Sequence, residues 1–213
     1  MTRHAHAESL ERRTLLSTTV KYDGERLEIR GDKEAGAVFV RAPAGILLVD
    51  ANGETQVLGP AAGLEDVVIR SLRAFDRVGV EDTDIGDSLV IDSGNDRDIV
   101  IVRRTNVGND MTIASRGGDD DLLLRDIRAG DTVEVNTGPG DDLVAANNFD
   151  AENDIIIELG EGDDLLFAND PLVAGDQVIL DGGPGEDTLI VHSTTLGPNT
   201  EIRNFEVIEV ITP

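Results

Sequence analysis

Thr137-Gly138-Pro139-Gly140-Asp141-Asp142-Leu143-Val144-Ala145 decides the fold of this 213-residue chain. A glycine turn is followed by a carboxylate and then by an apolar run. The pattern returns as Leu159-Gly160-Glu161-Gly162-Asp163-Asp164-Leu165-Leu166-Phe167 and as Gly182-Gly183-Pro184-Gly185-Glu186-Asp187-Thr188-Leu189-Ile190. Looser copies lie upstream, at Arg116-Gly117-Gly118-Asp119-Asp120-Asp121-Leu122-Leu123-Leu124 and Ser93-Gly94-Asn95-Asp96-Arg97-Asp98-Ile99-Val100-Ile101. Glycines at 94, 117, 138, 160 and 183 are separated by 23, 21, 22 and 23 residues. The acids at 98, 121, 142, 164 and 187 keep the same intervals, and so do Asp87, Asp110, Asp131, Asn153 and Asp176, eleven residues ahead. A unit of about 22 residues in two halves implies a repeat architecture.

Each half holds one short strand and one polar turn. The first strand stacks Leu89, Thr112, Val133, Ile155 and Val178, and two residues on Ile91, Ala114, Val135, Ile157 and Leu180. The second stacks Val100, Leu123, Val144, Leu166 and Leu189. Inward places recur with period two, and nothing has the length or 3.6 spacing of a helix. Strands repeated at this interval without hairpin turns are parallel. The expected fold is therefore all-β: a right-handed parallel β-solenoid, a β-roll or β-helix with coils about 4.8 Å apart. A third apolar point (Ile85, Val107, Ile127, Phe149, Leu172) leaves a two-sheet roll and a three-sided helix both open.

Working outward, residues 61–200 form the solenoid, with degenerate first coils at Asp66 and Asp76, and residues 201–213 supply a closing strand. Residues 18–60 alternate like strands around the turn signals Asp23-Gly24 and Asn52-Gly53. They predict an antiparallel meander of about five strands that caps the array, because a bare solenoid end would pair with another chain. Residues 1–17 form a flexible N-terminal segment.

Acids outnumber bases 43 to 18, for a net charge of −25. That charge repels nucleic acid and anionic lipid and attracts cations. No cysteine is present, so disulfides and thiolate metal sites are excluded. No run approaches the roughly 18 apolar residues of a membrane span. Six aromatics and no tryptophan leave an aliphatic core and little equipment for sugar binding. No Ser-His-Asp grouping is visible, and Gly-Xaa-Gly is not followed by a helix as a dinucleotide loop requires.

In a solenoid each turn aspartate stacks on that of the next coil. Two carboxylates ~4.8 Å apart repel by about 3.5 kcal/mol at an effective dielectric of 20 and about 0.9 kcal/mol in water. A cation between coils would relieve this, and carboxylate and carbonyl oxygens suit Ca²⁺. The competing reading gives each aspartate a bond to its own turn, with no metal.

Gly-Xaa-Gly-Xaa-Asp-Xaa-apolar resembles the hemolysin-type (RTX) calcium-binding repeat, a parallel β-roll with calcium between turns. The resemblance implies calcium ligands at Asp142, Asp164 and Asp187, with Gly138, Gly140, Gly160, Gly162, Gly183 and Gly185 in the turns. Asp121 and Asp98 take the same place in the looser copies, where Asp119 and Asp96 replace the second glycine and either add ligands or spoil the turn. Here the half-unit is eleven residues rather than the family's nine, and one half alone carries the motif, so calcium is expected along one edge. Leu10-Glu11-Arg12-Arg13-Thr14-Leu15-Leu16-Ser17 resembles a segment near the start of repetitive surface proteins of planctomycete-type bacteria, which implies an extracellular or cell-surface setting although no ordinary signal peptide is seen.

The expected function is a non-catalytic, calcium-binding structural or adhesive module. The alternatives are a metal-free binding scaffold and a polysaccharide lyase or hydrolase of the β-helix type. The second strand's outward places also read as apolar: Ile99, Leu122, Leu143, Leu165, Thr188, and Ile101, Leu124, Ala145, Phe167, Ile190. A strand facing water should alternate, so this face is expected to be covered by residues 18–60 or by another molecule, a second copy included.

Overall fold

In the computed structural model, residues 13–15, 18–31, 36–71, 74, 76–192, 196 and 199–211 are described. The expected N-terminal segment at 1–17 therefore lies largely outside the described residues. The chain begins with β1 (Arg13–Leu15), β2 (Thr18–Tyr22), β3 (Arg26–Arg30), β4 (Gly36–Arg41), β5 (Ile46–Ala51) and β6 (Glu54–Pro60). Then follow β7 (Asp66–Arg70), β8 (Asp76–Ile85), β9 (Ser88–Asp92), β10 (Ile99–Val107), β11 (Met111–Ala114), β12 (Asp121–Ala129), β13 (Val133–Pro139) and β14 (Leu143–Ala151). The last are β15 (Ile155–Glu161), β16 (Leu165–Ala168), β17 (Leu172–Ala174), β18 (Val178–Asp181), β19 (Thr188–His192), β20 (Thr200–Arg203) and β21 (Val207–Ile211).

The protein is a β-solenoid. One sheet runs β1-β2-β3-β7-β9-β11-β13-β15-β18-β20 and the other runs β21-β19-β16-β14-β12-β10-β8-β4-β5-β6. From β3 and β4 onward, successive coils pair in parallel. Leu89, Met111, Val133, Ile155 and Val178 form one inward column, and Val100, Leu122, Val144, Leu166 and Leu189 form the facing one. All ten side chains are buried and fill an aliphatic core between the sheets.

These columns correct the expected register in one coil. Met111 and Ile113 replace Thr112 and Ala114, and Leu122 and Leu124 replace Leu123 as inward residues. The coil is shifted by one residue in both strands. The intervals become 22 throughout until the step from Ile155 to Val178, which is 23. The additional residue lies between Ala168 and Leu172, where β16 and β17 separate at Asn169-Asp170-Pro171.

The choice between two and three sides resolves as two sheets with one bent. In β8, β10, β12 and β14 a single left-handed residue sits mid-strand: Asp82, Arg104, Asp126 and Asn148, with φ of 50, 50, 55 and 58°. Two consecutive outward residues there shift the inward places from 78 and 80 to 83 and 85. The short third side carries two columns, Thr83-Thr105-Ile127-Phe149-Leu172 and Ile85-Val107-Ala129-Ala151-Ala174. The single expected column mixed these two. Aspartate and asparagine tolerate a left-handed backbone better than most residues. Arg104 occupies the corner while its guanidinium holds both carboxylate oxygens of Asp82 in the coil before.

The N-terminal strands do not form one meander. The β2–β3 hairpin belongs to the first sheet and the β4–β5–β6 set to the second, and β3 and β4 already pair in parallel with the next coil. Antiparallel strands therefore close this end of both sheets. At the other end β20 and β21 form one more parallel coil rather than a single closing strand.

This placement also overturns the idea that residues 18–60 fold over the second sheet, because their strands extend the sheets edgewise. The outer column is Phe39, Gly79, Ile101, Leu123, Ala145, Phe167 and Ile190, with Leu124 buried in the core. Leu123 is 40% exposed and Leu143 37%. The Phe39 ring lies over Gly79, where an added Cβ would meet it at 2.3 Å.

Candidate functional site

The turn joining the first sheet to the second carries the repeat motif. Gly160 has φ 113°, and a Cβ there would sit 2.1 Å from the Gly138 carbonyl oxygen. Gly162 has φ 145°, and its Cβ would sit 1.9 Å from the Gly140 oxygen. Glycine is required because successive turns stack with their backbones in contact. That contact brings each carboxylate that follows the turn within reach of the neighbouring coil.

Asp76, Asp98, Asp120, Asp142, Asp164 and Asp187 form one buried column. Each lies immediately before or at the start of a second-sheet strand, and its side chain reaches back toward the preceding coil. The Asp76 N–H donates to Asp98 Oδ1 at 2.8 Å and the Asp98 N–H to Asp120 Oδ1 at 2.6 Å. The Asp120 N–H donates to Asp142 Oδ1 at 2.7 Å and the Asp142 N–H to Asp164 Oδ1 at 2.7 Å. The Asp164 N–H donates to Asp187 Oδ1 at 2.8 Å. The ladder begins with the Gly36 N–H on Asp76 Oδ1 at 2.8 Å and ends with the Asp187 N–H on Glu206 Oε2 at 2.7 Å.

The second oxygen of these carboxyls has no partner. Oδ2 of Asp98, Asp120, Asp142, Asp164 and Asp187 is buried and accepts no hydrogen bond. Burial pushes Asp98, Asp120, Asp142 and Asp164 up to about 7, and like charge from neighbouring acids adds to the rise. The backbone N–H bonds oppose it, as do the hydroxyls of Ser93, Ser115 and Thr137 beside the first three. All three act by proximity: Ser93 Oγ has no hydrogen-bond partner, and the Ser115 and Thr137 hydroxyls donate to the Thr137 and Leu159 carbonyls of the next coil. Asp187 is raised as well, first by burial.

Of the residues singled out in the sequence, Asp98, Asp142, Asp164 and Asp187 stand in this column. Asp121 does not: it pairs with Ile99 and Leu143, and its carboxylate meets Arg97 at 2.6 Å on the surface. Asp120 takes its place. Asp119 is likewise not at the second-glycine place, which Gly118 fills, since the Gly140 Cβ would strike the Gly118 oxygen at 2.1 Å. Asp96 does hold that place, with φ 81°, and its Oδ2 accepts the Ala74 N–H at 2.9 Å. The other edge of the coil corrects by the same one residue, with Asn109 in line with Asp87 and Asp131 through backbone bonds of 2.8 and 3.1 Å.

The residues before Asp120, Asp142, Asp164 and Asp187 form a second ladder on the outside, which sequence reasoning missed. Asp119 Oδ1 accepts the Asp141 N–H at 3.1 Å, Asp141 Oδ1 the Asp163 N–H at 3.0 Å, and Asp163 Oδ1 the Glu186 N–H at 3.0 Å. Its sense is opposite to that of the buried ladder. Each acidic pair thus fastens its coil to both neighbours. The recurring Asp-Asp and Glu-Asp doublets were the signal for it. The bonds run between coils, about 22 residues apart, and not to the aspartate's own turn.

Five unpartnered buried carboxyl oxygens in successive coils are hard donors of the kind a cation such as Ca²⁺ takes. Among the described residues no group of three or more His, Cys, Asp or Glu side chains converges as a metal cage. A cation here would draw on carboxylates of adjacent coils together with main-chain carbonyls. Compared with family models, curated proteins and solved structures, the chain matches none.

The ladder separates the two roles of each carboxyl. Asp142→Asn keeps an oxygen for the Asp120 N–H and removes the charge. In chelator at alkaline pH it should be at least as stable as the wild type. Asp142→Ala leaves that N–H buried without an acceptor and should lose about 2–3 kcal/mol in urea denaturation. Equal stability of the two variants would remove the structural role assigned to Oδ1.

Proposed function

We propose that the protein is a non-catalytic calcium-binding β-solenoid, a structural or adhesive module working outside the cell or at its surface. The observation that supports this reading is the line of five buried Oδ2 atoms without partners at Asp98, Asp120, Asp142, Asp164 and Asp187. Calcium would supply positive charge to neighbouring carboxyls that burial otherwise drives toward protonation. The gaps between five successive carboxyls number four, which sets the expected ceiling on ions along this edge. The apolar outer stripe through Ile101, Leu123 and Phe167 is the face such a module would offer to another protein.

A metal-free scaffold is the second reading. It is favoured by the unbroken hydrogen-bond ladder through Oδ1, which joins the coils with protonated carboxyls and no ion. Thermal melting at alkaline pH in millimolar calcium, against EDTA, distinguishes them. A ligand that binds only the folded chain adds RT ln(1 + [L]/Kd), about 2.7 kcal/mol at a hundredfold excess over Kd. Calcium is expected to raise Tm by ten degrees or more and magnesium by much less. Identical melting in calcium and EDTA would leave the metal-free scaffold.

A further inference from the structure

We propose that the C-terminal end of the solenoid is a self-association surface at which two copies of this chain meet end to end. Ile208 and Val210 continue the inward columns of Leu189 and Val191. Leu189 and Val191 are 0% and 6% exposed, whereas Ile208 and Val210 are 49% and 63% exposed. All five residues of β21 are exposed, and four of them are apolar. β20 and β21 are also the last strands of their sheets, so each presents an edge of backbone donors and acceptors.

The opposite end differs. There the antiparallel strands β2 and β5 cover the core, with Val20, Leu47 and Val49 buried beneath β1 and β6. The edge strand β6 carries Glu54, Thr55 and Gln56. Val57 of β6 is exposed there as well, but the inward column of β5 stays buried, whereas at the C-terminal end the inward column itself is bare.

A second copy fits by symmetry. A two-fold axis makes the facing edge strands antiparallel. Centred on Ile202, it sets Glu201 of one β20 opposite Arg203 of the other. These two side chains now pair within their own strand, at 2.7 Å. Such a contact uses the C-terminal ends of both copies and, being two-fold, closes at two.

Sedimentation of the 213-residue chain in millimolar calcium tests this, at about 0.15 M salt where charges are screened beyond about 8 Å. At about 50 µM, where a micromolar complex is saturated, twice the chain mass is expected. Ile208→Lys with Val210→Lys should give a monomer with unchanged circular dichroism, since both residues already face water. Arg203→Glu should weaken the dimer at least tenfold, and adding Glu201→Arg should restore it. A wild-type monomer at that concentration overturns the proposal, and so does a dimer indifferent to all of these changes. Should the lysine variant lose its β signal, the charge-swap pair still decides.

Discussion

Raising the pH from about 5 to about 8.5 in chelator is expected to remove most of the protein's stability, read as a fall of tens of degrees in Tm. Asp98, Asp120, Asp142 and Asp164 are held up to about 7 by burial, whereas an unfolded aspartate titrates near 3.9. Between those values the folded chain holds more protons than the unfolded chain. Stability from these groups is therefore full below about pH 4, falls as pH rises toward 7, and stays lost above it. Three pH units correspond to about 4 kcal/mol for one carboxyl, against a whole-domain stability of about 5–15 kcal/mol. Two or three ionisations without a counter-ion are enough to threaten the fold.

Exposed acids work in the opposite sense but weakly. Asp23, Glu28, Asp82 and Glu201 are lowered by hydrogen bonds from backbone or arginine, and they contribute stability that is lost as the solution becomes strongly acidic. The optimum should thus lie near pH 4–5 without metal, well below neutrality. Calcium should restore the alkaline limb, because it binds the ionised form. Melting curves across this range check the prediction. A profile that is flat, or that rises toward alkaline pH in EDTA, would sink it.

Gly160→Ala should be among the most damaging substitutions of a small residue. Its Cβ would lie 2.1 Å from the Gly138 oxygen, 2.7 Å from the carbonyl carbon and 2.9 Å from the Cα. All three are backbone atoms, and Gly138 and Gly160 are register partners in paired strands, so neither coil can retreat alone. The φ of 113° adds strain for any L residue. Together these should cost more than about 4 kcal/mol and break the stack between β13 and β15. Gly24→Ala is the control, since it has φ 107° but nothing within 4 Å of its Cβ. It should lose about 1 kcal/mol, from backbone conformation alone. Urea denaturation followed by far-ultraviolet circular dichroism measures both. Similar losses for the two would refute crowding between turns as the role of the motif glycines.

Periodicity alone determined the architecture. Glycine turns and period-two apolar places recurring about every 22 residues admit only stacked parallel strands, and Asp142, Asp164 and Asp187 could be placed in one column by counting. Register in the coil around residues 109–124 could not be counted. Asp119-Asp120-Asp121 followed by Leu122-Leu123-Leu124 looks the same after a shift of one residue. A shift of one in a strand exchanges its two faces, so only packing can choose. The choice buries Leu122 and Leu124 and places Asp120 where it bonds to the coils on both sides. The terminal strands were equally beyond local reading. Hairpin signals showed that β2–β3 and β4–β6 turn back on themselves, but not that the chain crosses to the second sheet between β3 and β4. That crossing is decided by the core, because Leu27 and Ile29 on one sheet and Val38 and Val40 on the other are buried only when both sheets extend over the first full coil.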